Sequence, residues 1–380
     1  KCPETLFVPK KDLKMEFWEG PRLGTGAAKY DTEIKTLTGI SSIQPISSFD
    51  TFLAELLASL PPSRSKTLGC YWYQSPKNTK KKIEDSHFTF KHRLSKICRS
   101  IKAKPTLENI FSLQFPLRLG LDPTDKKNLK AAQQKTTAAF KETLSQWASL
   151  RSETDIAAVL DGAIARQSWY RNSFPSIIAG GRNAAILHYT KNNAQISPSS
   201  MVLMDFGVRW HGVNSDVSRT LPKNGRFNPL QALLYTIVLD AQELVQSQVK
   251  AGVTFNQLNT LCWDFINGEL QSKLIAKGGK MTLPYAHAPH NVGHLLAHQV
   301  HDGDPFRDYK SEPLQAGWVI TNEPGLYGDF SLRIDGTLYK ESLGIRIEDN
   351  LLVSASGCRN LTTAPKTIEA LEALIIPSKH

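Results

Sequence analysis

Acidic residues close several apolar runs of this chain, and their placement suggests chemistry more directly than any other feature. In the segment MDFGVRWHGVNSDVSRT, Asp205 ends an apolar run and Asp216 follows it across a Gly-containing turn. A hairpin would bring both carboxylates onto one face of a sheet. Glu323 in WVITNEPGLY and Glu348 in GIRIEDNLLV also adjoin apolar runs. A carboxylate beside a core must be paired, hydrogen-bonded or metal-bound, so the four together predict a metal site, whereas any one alone could be a surface turn residue.

Half of the ten His residues lie within one short segment, YAHAPHNVGHLLAHQVHD. We expect at least one of them to face the acids, because an imidazole with four carboxylates is an oxygen-rich ligand set that suits Mn²⁺, Co²⁺ or Zn²⁺. Four negative charges exceed what one divalent ion needs, whereas carboxylates can bridge two ions that activate a shared water. The residues therefore predict metal-assisted hydrolysis. The segment contains His287, His290, His294, His298 and His301.

Helix start and stop signals predict the elements that position these residues. Asn228 followed by Pro229 begins a helix that ends near Gly252, and Thr254 with Gln257 forms the capping box of a second helix. Helix pairs packed on an antiparallel sheet make an α+β domain. Further helices are predicted over 124–144 and 152–169, the second capped helix is predicted to reach 277, and strands are predicted over 176–178, 185–189, 202–205, 213–218, 318–322 and 344–353. In the last of these strands Arg346 and Glu348 share one face.

The first part of the chain reads as a separate, smaller unit. Residues 103–128 lose periodicity and carry three Pro residues, which predicts a connection, and we place the domain boundary near residue 120. Strands over 5–8 and 68–73 with a helix over 49–60 predict a small α/β domain. The sequence thus predicts two domains, 1–120 and 121–380.

Composition excludes several classes of protein. No apolar stretch approaches the length of about 20 residues that a membrane span requires, so no membrane partner is expected. With 41% hydrophobic and 21% charged residues, the chain has the composition of a globular protein. Its five scattered Cys form no CxxC pair, which favours a reducing, cytoplasmic location over a disulfide framework or a thiolate zinc site. The chain begins at Lys1 without an initiator Met or a signal peptide, so we expect that a preceding segment is missing.

The formal net charge of +11 lies entirely within residues 1–150 and is densest over 77–104. Such a patch could attract nucleic acid or another acidic partner. Nucleic-acid binding is the less favoured interpretation, because the run lacks a recognisable binding motif and basic surfaces are common on enzymes. We expect a solvated basic face.

In order and in local sequence, the four acids and one His resemble the metal ligands of the pita-bread metallopeptidases, a family that includes methionine aminopeptidases, prolidases and aminopeptidase P. The strings AILHYT, VGHLLAHQVHD, NEPGLY and GIRIED are similar to aminopeptidase P and prolidase. The resemblance covers about residues 125–370. Upstream, LFVPKKDLKMEFWEGPRLG resembles the N-terminal domain of aminopeptidase P and favours that enzyme over prolidase.

The resemblance implies a pita-bread catalytic domain, an antiparallel sheet covered by helix pairs, preceded by a creatinase-like α/β domain. It implies two divalent ions, with Mn²⁺ expected and Co²⁺ or Zn²⁺ as alternatives. Asp205 would chelate one ion, Asp216 and Glu348 would bridge both, and His294 and Glu323 would complete the other. A hydroxide would bridge the pair, and Glu323 would also accept the proton of the water.

The resemblance also assigns residues to the substrate, a proline-containing peptide cleaved at its N-terminal Xaa-Pro bond. His188 would stabilise the oxyanion, and His301 would hold the substrate backbone. Arg346 would meet a carbonyl or carboxylate downstream of Pro, and Tyr327 would line the same pocket. The alternatives are a core His at 188, a loop His at 301 and a structural ion pair at Arg346. The alternative functions are a prolidase acting on Xaa-Pro dipeptides and a metal-free peptide- or histone-binding module on the same fold.

Three residues depart from the family pattern. Asn291 and Ala297 stand where Gly is usual, and His298 is unusual at its position. We expect Asn291 to keep a turn with positive φ, since Asn tolerates that conformation better than other non-Gly residues. Asn291 and Ala297 are each expected to add atoms near the pocket of the substrate amine and so to alter the preference for the residue before Pro. The N-terminal domain is also short for the family, which leaves a homo-oligomeric state open.

Overall fold

The structure is a computed structural model that describes the backbone of residues 4–59, 67–70, 86–100, 106–109, 111–169, 172–303 and 308–375. Side chains are described for the same residues except 67–70, 86–91, 106–109 and 111–114. The chain divides into two compact units, Lys1–Ser112 and Leu113–His380. The domain assignment to 1–120 and 121–380 stays a prediction, and most of the basic run over 77–104 lies outside the described side chains.

The first unit contains two short parallel strand pairs, β1 with β2 and β3 with β4, together with four helices among the described residues. The strand over 5–8 and the helix predicted over 49–60 are present, while the strand predicted over 68–73 starts one residue earlier and residues 71–73 lie outside the described chain. The elements are β1 (Thr5–Val8), α1 (Leu13–Glu19), α2 (Ala28–Thr38), β2 (Ser42–Pro45), α3 (Phe49–Ser59), β3 (Thr67–Cys70), α4 (Ser86–Ser100) and β4 (Thr106–Asn109).

A short helix, α5 (Phe111–Leu119), leads into the second unit, which contains long helices and antiparallel strands. Its elements are α6 (Pro123–Ser145), α7 (Glu153–Ser168), β5 (Ile177–Gly180), β6 (Met201–Phe206), β7 (Arg209–Trp210), β8 (Val213–Asn214), β9 (Val217–Pro222), α8 (Pro229–Gln248), α9 (Phe255–Lys273), β10 (Lys280–Thr282), β11 (Val319–Asn322), β12 (Gly325–Ile334), β13 (Thr337–Arg346), β14 (Asp349–Val353), β15 (Cys358–Asn360) and α10 (Ile368–Ile375).

All strand pairs described in the second unit are antiparallel. The strand orders are β5-β6-β9, β10-β12-β13, β11-β14-β15 and β7-β8. Helices pack on these sheets through one large apolar core, in which, for example, the rings of Phe140 on α6 and Phe206 on β6 stack with centroids 5.5 Å apart. The predicted α+β class of this unit is confirmed. None of the described helices combines the length and apolarity needed to cross a membrane.

The predicted helix starts are confirmed by their caps. Asn228 accepts from the Gln231 N–H at 2.9 Å, and the Gln231 side chain accepts from the Asn228 N–H at 3.0 Å. Thr254 and Gln257 make the same reciprocal pair at the start of α9. Helix α8 ends before the predicted Gly252, because Val249 is already extended.

Two predicted segments are wrong, and the strands predicted over 213–218 and 344–353 are interrupted at 215–216 and 347–348. Residues 185–189 are not a strand, and Gly181–Ala185 is a 3₁₀ segment. The apolar run is explained by packing, because Tyr189 lies in a small core cluster with Leu203 and Tyr327. Residues 103–128 are more than a connection, since they contain β4, α5 and the start of α6. Pro116 lies inside α5, where a proline forfeits one backbone hydrogen bond without ending so short a helix.

Candidate metal centre and active site

The five predicted ligands gather in one cavity of about 320 Å³, large enough for a small peptide. Three of them are especially close, since ligand atoms of Asp216, His294 and Glu348 all lie within 4.8 Å of one another. The elements deliver them from distant parts of the chain: Asp205 near the end of β6, Asp216 between β8 and β9, His294 after β10, Glu323 directly after β11, and Glu348 between β13 and β14.

Strand register joins the first two acids, as the hairpin prediction requires. In the pairing of β6 with β9, Asp205 lies opposite Ser218, two residues beyond Asp216. Burial raises the pKa of Asp216 well above its usual value, and the nearby charges of Asp205 and Glu323 raise it further. Burial also raises the pKa of Glu348 well above its usual value, and the nearby charge of Asp216 raises it further. A bound cation would lower both pKa values and so favour the ionised carboxylates.

The ring of His294 is oriented as a ligand. Its Nδ1 lies 3.0 Å from the carbonyl oxygen of Leu295. A carbonyl only accepts, so Nδ1 carries the proton and the lone pair of Nε2 is free. Nε2 lies 3.5 Å from an oxygen of Asp216 and 3.5 Å from an oxygen of Glu323. A lone pair aimed between two carboxylates is an arrangement that a cation would stabilise.

The segment carrying His294 runs beside β11 at very close range. The Thr321 N–H donates to the His294 carbonyl at 2.9 Å, and the Glu323 N–H donates to the Val292 carbonyl at 2.8 Å. A Cβ at Gly293 would come within 2.1 Å of the Thr321 carbonyl oxygen, so only Gly fits there. The close approach places His294 and Glu323 side by side although they are far apart in sequence.

One oxygen of Asp205 supports the presence of a cation. Asp205 is 8% exposed; its Oδ2 accepts from Arg346 at 2.7 Å, whereas its buried Oδ1 has no partner among the described residues. A buried, unpartnered carboxylate oxygen is costly unless a ligand completes it. Together with the donor set of four carboxylates and one imidazole, this atom fits a site for divalent metal ions.

Arg346 and Glu348 both line the cavity although the strand predicted to hold them is interrupted at 347–348, and Ser218 connects them. The Arg346 Nε donates to the Ser218 hydroxyl at 2.8 Å, and that hydroxyl donates to Glu348 at 2.9 Å. Arg346 also donates to the Tyr327 hydroxyl at 3.2 Å. Arg346 thus lines the cavity while its guanidinium contacts Asp205, Ser218 and Tyr327.

Tyr327 is 1% exposed and lies behind the cavity rather than among its lining side chains. Its hydroxyl lies 2.9 Å from Nε2 of His290, whose Nδ1 lies 2.7 Å from the Asn291 carbonyl. Burial lowers the pKa of His290, so the ring is neutral at neutral pH. His290 lines the cavity and was not assigned from the sequence, because five His residues share its segment and spacing alone could not rank them.

His188 and His301 form another part of the cavity wall. Their ring centroids lie 6.3 Å apart, and the His301 ring lies 4.2 Å from that of His294. His188 is exposed at the wall, which removes the alternative of a core His. Partial desolvation and the neighbouring His294 ring lower the pKa of His301 to about 4, so it is a neutral donor or acceptor near pH 7.

Two further lining residues, Tyr309 and Lys310, were missed in the sequence. They lie in a short 3₁₀ segment, Tyr309–Ser311, that has no recognisable motif. The Tyr309 ring packs edge-on against Phe255. Lys310 lines the cavity, and its ammonium forms no ion pair within the described parts of the chain.

The departures from the family pattern behave differently from one another. Asn291 lines the cavity, but its φ is not positive, so the turn expectation was wrong. Ala297 is 1% exposed and packs in the core, where its carbonyl accepts from Asn214, so it adds no atoms to the cavity wall. His298 lies 3.4 Å from Asp125, away from the ligands, and His287 is exposed.

A second buried network supports the ligands from behind. Arg219 donates to the carbonyls of Ser218 and Glu348 and to the carboxylate of Asp349. Burial alone would raise the pKa of Asp349, but the charges of Arg219 and Lys366 lower it to about 2.

Asn350 holds the backbone of Asp216 where no strand partner does. Its Oδ1 accepts from the Asp216 N–H at 3.0 Å, and its Nδ2 donates to the Asp216 carbonyl at 2.6 Å. Gln133 on α6 donates to the same Asn350 oxygen. Asp216 lies between β8 and β9, so this side chain replaces the ladder bonds that a strand residue would make.

Comparison with known proteins agrees with this geometry. The family model of metallopeptidase family M24 matches residues 127–355, and that of the aminopeptidase P N-terminal domain matches residues 1–62. The chain is 31% identical over 373 residues to mouse (Mus musculus) Xaa-Pro aminopeptidase 3, covering 97% of this chain and 69% of the relative. It is 29% identical to the Xaa-Pro aminopeptidase of Haemophilus influenzae, covering 97% of this chain and 81% of the relative.

A solved structure shows the same fold. The zinc-substituted aminopeptidase P of Escherichia coli in complex with product superposes with a TM-score of 0.80 at 25% identity, covering 99% of this chain and 83% of that one. The resemblance to aminopeptidase P and the pita-bread fold class are therefore confirmed. The length of the family match and the identity to relatives along nearly the whole chain lead to one conclusion: the protein belongs to metallopeptidase family M24.

Proposed function

We propose that this M24 hydrolase releases the residue N-terminal to Pro by using two divalent ions, with Mn²⁺ as the proposed metal. The observation that carries the proposal is the convergence of Asp216, His294 and Glu348 within 4.8 Å beside the unpartnered Oδ1 of Asp205. When bound, such ions supply Lewis acidity and lower the pKa of a shared water. Asp216 and Glu348, whose pKa values are both raised, are the proposed bridging ligands.

The chain's own residues would manage the protons. Glu323 lies 3.5 Å from His294 and lines the cavity, so its carboxylate is placed to take a proton from the attacking water. An Xaa-Pro bond is a tertiary amide, and its nitrogen must gain a proton as it leaves. We propose that Glu323 delivers that proton.

Two imidazoles at the cavity wall would bind the substrate. His188 is exposed at the cavity wall and is the proposed donor to the oxyanion. His301, neutral near pH 7, is the proposed partner of the substrate backbone. Arg346 lines the cavity and is proposed to meet a carbonyl or carboxylate downstream of Pro, and its bonds to Tyr327 and Asp205 would orient it.

Lys310 favours one alternative, a prolidase that acts on dipeptides. A dipeptide ends in a Pro carboxylate, and a cation in the cavity that forms no ion pair within the described chain could bind it. The same ammonium could instead meet the carboxylate of a residue after Pro. The two substrates therefore have to be compared directly.

Cleavage of matched peptides by metal-reconstituted protein tests the proposal. The probes are an Xaa-Pro-Yaa tripeptide, its C-terminal amide and the Xaa-Pro dipeptide, each with and without a chelator. We expect chelator-sensitive release of Xaa from both tripeptides. Activity confined to the dipeptide would establish prolidase, and inactivity on every probe with metal content near zero would support the binding module. Cytoplasmic localisation and a homo-oligomeric state stay predictions.

A further inference from the structure

Asn291 is a polar side chain in the cavity wall to which the proposed reaction gives no role. It lines the cavity between two other lining residues, His290 and Gly293. The adjacent Val292 carbonyl accepts from the Glu323 N–H at 2.8 Å, which anchors this part of the wall beside a proposed metal ligand. Whatever Asn291 presents to the cavity is therefore presented close to the reacting groups.

Hydrogen bonds fix which end of the Asn291 amide faces the cavity. The Val292 N–H can only donate, and it donates to Oδ1 of Asn259 on α9 at 2.6 Å. The other end of the Asn259 amide must then be its NH₂ group, which donates to Oδ1 of Asn291 at 3.2 Å. This leaves the Asn291 NH₂ group without a partner among the described residues, and it is not among the buried unsatisfied atoms of the described chain. Asn291 lines the cavity whereas Asn259 does not, so the NH₂ end is the part of the Asn291 amide that is left for a ligand there.

Two segments that line the cavity differ in chemistry. Lys310 is a candidate for the carboxylate end of a peptide, whereas Asn291 belongs to a different segment, the one that carries His290 and His294. The scissile carbonyl belongs to the residue before Pro and must approach the proposed metal ligands, one of which, His294, lies in the same segment as Asn291. An amide NH₂ group there is suited to an acceptor oxygen of that residue.

We propose that Asn291 is a specificity-determining residue that favours peptides whose residue before Pro carries a hydrogen-bond acceptor near its Cβ. Asn259 is the positioning residue that keeps the NH₂ group of Asn291 turned toward the substrate. The inference rests on the proposed function, because it assumes that an Xaa-Pro peptide occupies this cavity. One neutral hydrogen bond corresponds to a preference of about 3- to 10-fold in kcat/KM.

Two tripeptides of equal shape measure that preference. In Xaa-Pro-Yaa, Xaa is either O-methylserine or norvaline, which differ only by an ether oxygen in place of a methylene. We expect the wild-type protein to favour O-methylserine by about 3- to 10-fold. Asn291→Gly removes the donor, so the ratio is expected to fall toward unity while norvaline-Pro-Yaa is still cleaved.

Asn259→Asp tests the positioning role without removing Asn291. A carboxylate at 259 still accepts from the Val292 N–H, but its second oxygen attracts the NH₂ group of Asn291 and turns the Asn291 oxygen toward the cavity. The preference for O-methylserine is then expected to be lost or reversed. Asn267→Asp is the matched control, because Asn267 is an exposed residue of the same helix, and it should keep the wild-type ratio.

The outcomes separate this inference from the proposed function. If the wild-type protein cleaves neither tripeptide, the proposed function fails. If it cleaves both and Asn291→Gly leaves the ratio unchanged, the specificity role is overturned while the peptidase stands. If Asn291→Gly does not fold, an unchanged ratio in Asn259→Asp overturns the inference by itself.

Discussion

Two buried Arg–Asp pairs lie in the catalytic unit, and they differ in what each leaves unsatisfied. Both have a guanidinium nitrogen 2.7 Å from a carboxylate oxygen, in Arg346–Asp205 and in Arg219–Asp349. In the second pair the remaining Asp349 oxygen accepts from Gln242, Asn360 and Lys366. In the first, Oδ1 of Asp205 has no partner within the described chain.

The difference distinguishes a structural ion pair from a candidate ligand. Arg219 donates its other N–H groups to backbone carbonyls, including those of Ser218 and Glu348. Its pair with Asp349 is therefore closed, leaves no oxygen for a ligand and holds strands together. The Asp205 pair is open on the side of the cavity. The same pair of residue types can therefore stabilise the fold or take part in the chemistry. A carboxylate oxygen that is left without a hydrogen bond distinguishes the second case from the first.

Removing the open carboxylate should have the largest effect on turnover. Asp205→Asn keeps the acceptor for Arg346 but loses the anionic ligand, so we expect kcat to fall by at least about 10³-fold together with the metal content. Metal analysis and peptide release measure both. Asp329→Asn, a half-exposed acid on β12, is the matched control. Near-normal activity in Asp205→Asn would contradict the assignment of Asp205 as a ligand and of Asp349 as the structural partner.

Removing the closed carboxylate should act on stability instead. Asp349→Ala leaves buried Arg219 without its counter-charge, and we expect a loss of about 3 to 5 kcal/mol in the free energy of unfolding at neutral pH. Urea unfolding measures this.

Acid dependence sharpens the same prediction. The folded pKa of Asp349 is about 2, below the value of about 3.9 for a free Asp. Its contribution is therefore complete above about pH 4 and is lost as the pH falls toward 2, so the gap between wild type and variant should narrow in that range. An equally wide gap at low pH would contradict the assignment.

His188 stands outside both pairs and should separate catalysis from metal binding. His188→Ala removes the proposed oxyanion donor, so kcat should fall by about 10²-fold while metal content and stability stay close to wild type. Steady-state kinetics with metal analysis measures this. An unchanged kcat would remove His188 from the proposed mechanism.

The smallest expected effect concerns the support of a ligand. Asn350→Leu removes both side-chain bonds to the Asp216 backbone, and we expect metal affinity to fall by about 10- to 100-fold. Calorimetric metal titration measures it. Asn360→Leu is the control, since Asn360 supports Asp349 and belongs to the closed pair. Equal losses in both variants would show that the two networks are not separate.

Much of the fold could be predicted because its signals are local. The caps at Asn228 and Thr254 depend on neighbouring residues, and both reappear in the structure. The strand predicted over 185–189 is wrong for the opposite reason, because the burial of Tyr189 depends on residues that are distant in sequence. Pro116 likewise looked like a break but lies within a helix.

The sequence by itself determined the ligand types, their order and the family they belong to. Only the tertiary structure decided that Nε2 of His294 faces the acids, that Asp205 rather than Asp349 keeps an oxygen with no partner among the described residues, and that Asn291 and Lys310 line the cavity while Ala297 does not. The physical reason is that residue type sets which hydrogen bonds and charges a side chain can offer. Which of them remain unused depends on partners that the fold brings from elsewhere in the chain.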